Sequence, residues 1–122
     1  MIFSQSSIND EYRFEVQDST GKYIGHALAA LSQNGLYWDF KEIRIDENQR
    51  RNKHGTKLLD YARNHLWKLE ELPIRAHVGV DPIDLLLSQV NLDINKKFYS
   101  KCGFEEEGDG KHFVCFPPNH PQ

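Results

Sequence analysis

The stretch YWDFKEIRIDENQRRNKHGTKLLDYARNHL, residues 37–66, contains the change of hydrophobic period that decides the fold. Residues 37–46 are rich in aromatic and β-branched side chains, which is typical of a strand. From Gly55 onward, apolar residues recur at helical spacing. The predicted buried face of that helix consists of Leu58, Leu59, Ala62, Leu66 and Leu69. Pro73 ends the helix, and the run IRAHVGV at 74–80 reads as another strand. The stretch therefore predicts a βαβ unit with parallel strands and a right-handed crossover.

Upstream of this unit, the sequence predicts an antiparallel meander. YRFEVQ at 12–17 alternates in polarity, DSTGK at 18–22 is a turn cluster, and YIGHALAALS at 23–32 resumes a strand-like run. QNG at 33–35 then turns the chain into the strand at 37–46. Residues 1–11 precede the first clear strand.

Downstream, a second helix is predicted over residues 94–102. Asp93 is its N-cap, Lys97 and Lys101 lie toward its end, and Gly103 follows it. Residues 104–107 and 112–116 form a closing hairpin around the turn at 109–110. We therefore expect an α/β (α+β) fold in a single domain, residues 1–122 with a core at 12–116, built on a mixed, mainly antiparallel sheet.

The composition excludes several classes of protein. Of the 122 residues, 39% are hydrophobic and 27% charged, which fits one globular domain. The net charge of −3 argues against a nucleic-acid binder. No apolar run approaches the roughly 18 residues of a membrane span, and the N-terminal residues lack an export signal. Cys102 and Cys115 are predicted to be reduced thiols of a cytoplasmic protein, and the scattered histidines predict no metal site.

Between the strand and the helix lies a basic segment, in which five of the eight residues from 50 to 57 are basic or histidine. The N-terminus of a helix carries partial positive charge and unpaired N–H groups, so basic residues there favour a bound anion such as phosphate. The alternative is a solvated loop whose charges are offset by Asp46 and Glu47.

This junction resembles the signature of the GNAT N-acetyltransferase superfamily, in which Ile43, Ile45, Arg50 and Gly55 occupy the motif positions. The resemblance implies that acetyl-CoA is bound and that the loop holds its pyrophosphate. The implied contacts are Ile43, Ile45, Arg50, Arg51, Asn52, Lys53, His54, Gly55 and Thr56. Lys53 stands where the first motif glycine is usual, and it either weakens binding through its restricted backbone or adds a charge contact to a phosphate.

A second resemblance lies in residues 91–104, which are similar to the family's closing segment, Asn…Tyr-x-x-x-Gly-Phe. Helical spacing places Ile94, Phe98 and Cys102 on a core stripe, and it leaves Asn95 and Tyr99 on the adjoining face. The resemblance implies that Tyr99 protonates the departing CoA thiolate and that Asn91 and Asn95 contact the cofactor. Without the motif, Tyr99 would be read as a boundary aromatic.

The resemblance also implies two groups on the central strand. The main-chain N–H of Ile45 stabilises the oxyanion, and Glu42 draws a proton from the amine through water, with Glu15 as a second choice. The alternative is that Glu42 faces solvent beside Arg44.

Taken together, the resemblance implies a GNAT-like fold with shortened or absent N-terminal helices and a shallow acceptor site, or one completed by another molecule. The acceptor is an amine, either a small molecule or a protein. The apolar segment at 83–90 predicts a homodimer patch or a short packed helix. A catalytically silent CoA-binding or protein-interaction module on the same fold is the alternative function.

Overall fold

The structure, a computed structural model, describes residues 1–46, 53–77 and 96–118. The strands are β1 Ile2–Ile8, β2 Glu11–Gln17, β3 Tyr23–Leu31, β4 Trp38–Ile45, β5 Ile74–His77, β6 Glu105–Glu106 and β7 His112–Cys115. Helix α1 spans His54–Leu69. Residues 96–101 are also helical and are called α2 below.

All seven strands belong to one sheet with the order β1-β2-β3-β4-β5-β7-β6. β4 and β5 are parallel, as expected of two strands that flank a helix, and the other neighbouring pairs are antiparallel. The predicted mixed, mainly antiparallel sheet is confirmed, as are the meander and the closing hairpin.

Strand β1 was not predicted. It pairs with β2 over seven residues, from Ile2↔Gln17 to Ile8↔Glu11. The two strands are joined by Asn9 and Asp10, whose φ angles of 51° and 65° are those of a tight two-residue hairpin turn. Asparagine and aspartate tolerate this left-handed backbone better than other non-glycine residues, so the Asn-Asp pair was the signal that the sequence analysis passed over.

A β-bulge at Lys41 changes which residues of β4 face the core. The register runs from Leu28↔Glu42 directly to Ala29↔Phe40, so Lys41 is the extra residue. Before the bulge Phe40 packs in the core, and after it Ile43 and Ile45 pack against that core, although they are an odd number of residues further on. The bulge therefore leaves Glu42 on the face of the sheet that α1 does not cover.

Helix α1 packs on the sheet through the predicted apolar face, apart from its last member. Leu58, Leu59, Ala62 and Leu66 are fully buried, whereas Leu69 is 50% exposed, so its predicted burial was wrong. The helix ends at Leu69, because the backbone of Glu70 is extended. At mid-helix, Nη1 of Arg63 donates a 2.6 Å hydrogen bond to the main-chain oxygen of Cys102 and so ties α1 to α2.

Cys102 and Cys115 are both buried free thiols. In the described parts of the chain, no helix is long and apolar enough to cross a membrane.

The close approach of β3 to β4 at Gly25 generates a stability prediction. A Cβ at this position would lie 2.5 Å from the carbonyl oxygen of Arg44 and 2.6 Å from Cδ1 of Ile45. The main chain of β4 cannot move aside without an energetic cost. We therefore expect Gly25→Ala to lower the free energy of unfolding by about 1–3 kcal/mol, measured by urea denaturation. Gly108→Ala is the matched control, since a Cβ there meets nothing within 4 Å. Equal stability of the two variants would contradict the prediction.

Candidate active site

The two motif segments, far apart in sequence, meet where α1 begins. A Cβ placed on Gly55 would lie 3.2 Å from Cε1 of Phe98 in α2 and 3.6 Å from Cγ1 of Ile45 in β4. Burial raises the pKa of the Cys102 thiol, and a side-chain hydrogen bond with Thr56 opposes that rise. These contacts show that the first turn of α1 packs directly against the end of β4 and against α2. Gly55 is needed here for close packing of three elements.

The N-terminus of α1 lacks the groups that usually satisfy a helix start. Its N-cap is Lys53, which makes no side-chain cap hydrogen bond, and its first turn contains no acidic residue. Nδ1 of His54 is buried, and no described residue forms a hydrogen bond with it. Unpaired N–H groups and the helix dipole favour an anion at such an end, so this donor set fits a phosphate group.

Lys53 adopts the backbone conformation for which glycine is usually chosen. Its φ of 59° and ψ of 19° lie in the left-handed region, and its carbonyl oxygen accepts the first helical hydrogen bond, from the N–H of Lys57. A lysine pays roughly 1–2 kcal/mol for this conformation. The chain thus keeps the turn that a glycine would make and places an exposed ammonium group beside the helix end.

Several predicted contacts lie outside the described residues: Arg50, Arg51, Asn52, Asn91 and Asn95. Of the predicted cofactor set, the structure describes Ile43, Ile45, Lys53, His54, Gly55 and Thr56.

Tyr99 is a core residue, which corrects the prediction that it lies beside the core stripe. Its exposure is 6%, and its ring contacts those of Phe98, Phe104 and Phe113 with centroids 5.4, 5.2 and 6.1 Å away. Phe98, predicted to be central, is only partly buried. The physical reason is that β7 and the turn after α2 supply aromatic neighbours on the Tyr99 side. Burial raises the pKa of the Tyr99 phenol well above its usual range, so its proton is retained at neutral pH.

The other face of β4 carries a polar cluster. Oε2 of Glu42 lies 3.0 Å from Nε2 of His26, and Oε1 of Glu42 lies 3.4 Å from Nη2 of Arg44. The hydroxyl of Tyr23 lies 2.6 Å from Nδ1 of His26. Glu42 is therefore held by two neighbours and does not simply face solvent. Tyr23 and His26 were not predicted as site residues, because the approach of His26 to Glu42 depends on the β3–β4 register and its bulge.

Among the described residues, β4 pairs with β5 at Trp38↔Ile74, Asp39↔Arg75 and Phe40↔Ala76, and it pairs with β3 as far as Ile45.

A separate group of possible metal ligands lies near β7 and consists of Glu107, Asp109 and His112. Its members already have partners, because Arg75 donates to both oxygens of Glu107 and Nδ1 of His112 lies 2.5 Å from Oδ2 of Asp109. The Arg75–Glu107 pair joins β5 to the closing hairpin, and the Asp109–His112 pair lies within the hairpin, so these ion pairs account for the group.

The left-handed backbone of Lys53 predicts the sign of the change in the free energy of unfolding when glycine is introduced. We expect Lys53→Gly to raise the free energy of unfolding by about 1 kcal/mol, because glycine adopts this conformation without strain. Lys57→Gly, the same change four residues later inside α1, should lower it by about 1 kcal/mol. Urea denaturation of both variants measures the two effects. A lower free energy of unfolding for Lys53→Gly would show that the conformation of Lys53 is not strained.

The chain was compared with known proteins. A search of curated protein sequences finds no significant match. Among solved structures, an aminoglycoside 6'-N-acetyltransferase complexed with coenzyme A has a TM-score of 0.74 at 14% identity, over 93% of this chain and 77% of that chain. Tetrahymena GCN5 has a TM-score of 0.69 at 11% identity, over 93% and 72%. A spermidine N-acetyltransferase chimera from Vibrio cholerae and hSSAT has a TM-score of 0.68 at 22% identity, over 88% and 70%. At these identities the likeness is one of fold.

The match to a protein family is more specific evidence than the likeness in fold. The family described as acetyltransferase (GNAT) domain matches residues 10–106, which include β2 to β5, α1, α2 and β6. That range holds both motif segments that meet at Gly55. The chain belongs to the GNAT acetyltransferase family.

Proposed function

We propose that this chain transfers an acetyl group from acetyl-CoA to a primary amine by direct attack. The proposal rests on one observation. The N-terminus of α1, whose first turn contains no acidic residue, packs at Gly55 against α2, the helix that bears Tyr99. Membership of the acetyltransferase family supports it. Relatives in fold are called aminoglycoside and spermidine N-acetyltransferases, and these names motivate an amine acceptor, either a small molecule or a protein.

The proposed phosphate site is the start of α1 with the loop before it. Residues 50–56 would hold the pyrophosphate of CoA through main-chain N–H groups, with Lys53 as a nearby cation and the orphan Nδ1 of His54 as a further polar contact. Ile43 and Ile45 would flank the cofactor on the core side of β4, and Asn91 and Asn95 would contact it from the segment that leads into α2. Acetyl-CoA supplies the activated acyl group when bound.

Tyr99 is proposed as the general acid. Its phenol keeps its proton because burial raises its pKa, and its side chain is almost fully buried. A protonated donor in a shielded site is suited to protonate a leaving sulfur atom. The main-chain N–H of Ile45 would stabilise the negative charge that develops on the acyl oxygen, and Glu42 is the carboxylate on the base side of the reaction.

The first test uses charge at the start of α1. CoA should raise the melting temperature of the parent protein, since a ligand at a hundred times its Kd stabilises the native state by about 2.7 kcal/mol. Thr56→Glu places a carboxylate in the first turn and should weaken CoA binding about tenfold or more, which corresponds to about 1.4 kcal/mol. Thr56→Gln has the same shape without the charge and should bind CoA like the parent. Equal binding by the two variants would exclude this helix end as the phosphate site.

The second test removes the Tyr99 hydroxyl. Tyr99→Phe keeps the ring among Phe104 and Phe113 and should leave the melting temperature and CoA affinity unchanged. Because general acid catalysis is typically worth about 10²–10⁴ in rate, we expect a loss of kcat in that range with an amine panel and a thiol-release assay.

The three measurements on Tyr99→Phe must come from one preparation. A folded, CoA-saturated variant that acetylates at the parent rate would make Tyr99 purely structural. A parent protein that binds CoA and acetylates no amine would instead indicate a silent CoA-binding module.

A further inference from the structure

Three side chains on the face of the sheet opposite α1 form a continuous hydrogen-bonded chain. The hydroxyl of Tyr23 lies 2.6 Å from Nδ1 of His26, and Nε2 of His26 lies 3.0 Å from Oε2 of Glu42. The His26 side chain is 13% exposed and that of Glu42 37%, so the imidazole is the more shielded group. The sequence of groups is hydroxyl, imidazole, carboxylate.

The chemistry of the three groups fixes the direction of the chain. An ionised Glu42 can only accept, so Nε2 of His26 carries the hydrogen that faces it. Nδ1 then has a free lone pair, and the Tyr23 hydroxyl donates to it. This is the order found in catalytic triads, where the carboxylate orients the imidazole and the imidazole takes a proton from the hydroxyl.

Both oxygens of Glu42 face neighbouring groups. Its Oε2 lies 3.0 Å from Nε2 of His26, and its Oε1 lies 3.4 Å from Nη2 of Arg44. This placement suits the carboxylate to orient the imidazole. Imidazole is the side chain whose ordinary chemistry suits proton exchange near neutral pH.

We infer that His26 receives the proton released by the amine, that Glu42 orients and stabilises it, and that the Tyr23 hydroxyl is the group through which the proton enters. This inference rests on the proposed acetyl transfer. The N–H bond of the amine breaks, directly or through a water molecule, and an O–H bond forms at Tyr23. The original Tyr23 proton moves to Nδ1 of His26, and Tyr99 supplies the separate proton that the leaving sulfur needs. After release of the product, His26 returns its proton to water and Tyr99 regains one.

Charged groups surround the chain on the two neighbouring strands. On β2, Glu15 is the register partner of His26, and on β4 the register partner is Arg44. Three carboxylates and two guanidiniums face the chain from these strands: Arg13 and Glu15 on β2, and Glu42, Arg44 and Asp46 on β4 or directly after it.

The first experiment measures kcat/KM against pH for the parent and four variants. His26→Gln cannot titrate, so it should lose about 10²-fold in kcat/KM and lose the limb that rises with pH. Tyr23→Phe should lose about tenfold or more, and Glu42→Gln should lower kcat while keeping a rising limb, because the imidazole remains. Tyr61→Phe is the matched control: its hydroxyl also makes one hydrogen bond, to Oε1 of Gln5, but on the α1 side of the sheet. It should behave like the parent.

The assignment would be overturned if Glu42→Gln abolished the rising limb while His26→Gln retained it, since the carboxylate would then be the base. Parent-like rates in Tyr23→Phe would exclude entry through the hydroxyl. CoA-induced stabilisation must be equal in all five proteins, so that lost binding is not mistaken for lost proton transfer.

The second experiment does not depend on turnover. Nitrogen-15 NMR of the imidazoles in labelled parent protein should show His26 with its hydrogen on Nε2, and Tyr23→Phe should shift its Nδ1 resonance. A hydrogen on Nδ1, or an unchanged resonance, would refute the chain. If the parent acetylates no amine yet His26 shows the expected form, the acetyl-transfer proposal fails and the hydrogen-bonded chain stands.

Discussion

The packing of the Phe98 and Ile45 side chains against the main chain of Gly55 is the constraint on which the candidate site depends. The start of α1, the end of β4 and α2 are so close there that a Cβ on Gly55 would lie 3.2 Å from the Phe98 ring. Because Phe98 is in the same helical turn as Tyr99, this contact also sets the position of the phenol relative to the start of α1. Arg63 adds a second tie from α1 to the end of α2, through the main-chain oxygen of Cys102. The described residues of the two motif segments therefore lie against one another because they share core packing.

Strand β4 supports different chemistry on its two faces, and the bulge at Lys41 makes this division. Without the extra residue, strict alternation from Phe40 would place Glu42 toward α1, where a carboxylate would lie in an apolar core. With it, Ile43 and Ile45 take the core side, and Glu42 joins His26 on the other. Bulges are known to re-aim side chains near active sites, and here one also prevents a buried charge. The bulge at Lys41 therefore determines both the backbone geometry of β4 and which side chains lie on each of its faces.

Much of this arrangement could be read from sequence, because each predicted element rests on a local pattern. The period change at Gly55, the stop at Pro73 and the Gly103 terminus set the order of strands and helices, and the loop motif located the start of α1. What could not be read depends on contacts between distant segments. The burial of Tyr99 is decided by Phe104 and Phe113, which helical spacing within residues 94–102 does not include. The contact of His26 with Glu42 depends on a strand register that the bulge shifts by one residue. The β1–β2 hairpin depends on a turn formed by Asn9 and Asp10, without the glycine that usually marks such turns.

Lys53 shows how a departure from a motif can keep the geometry and change the chemistry. A glycine at this position would supply the left-handed backbone at no cost, whereas lysine supplies it at roughly 1–2 kcal/mol. A stabilising glycine at such a position is accessible by mutation. A strained residue that stands there instead either serves a function or is neutral. Two features of the neighbourhood favour an anion at this helix end: the first turn of α1 has no carboxylate, and the buried Nδ1 of His54 has no hydrogen-bond partner within the described parts of the chain. The positive charge of Lys53 adds to that preference, so the lysine keeps the turn of a glycine and contributes a charge that a glycine lacks.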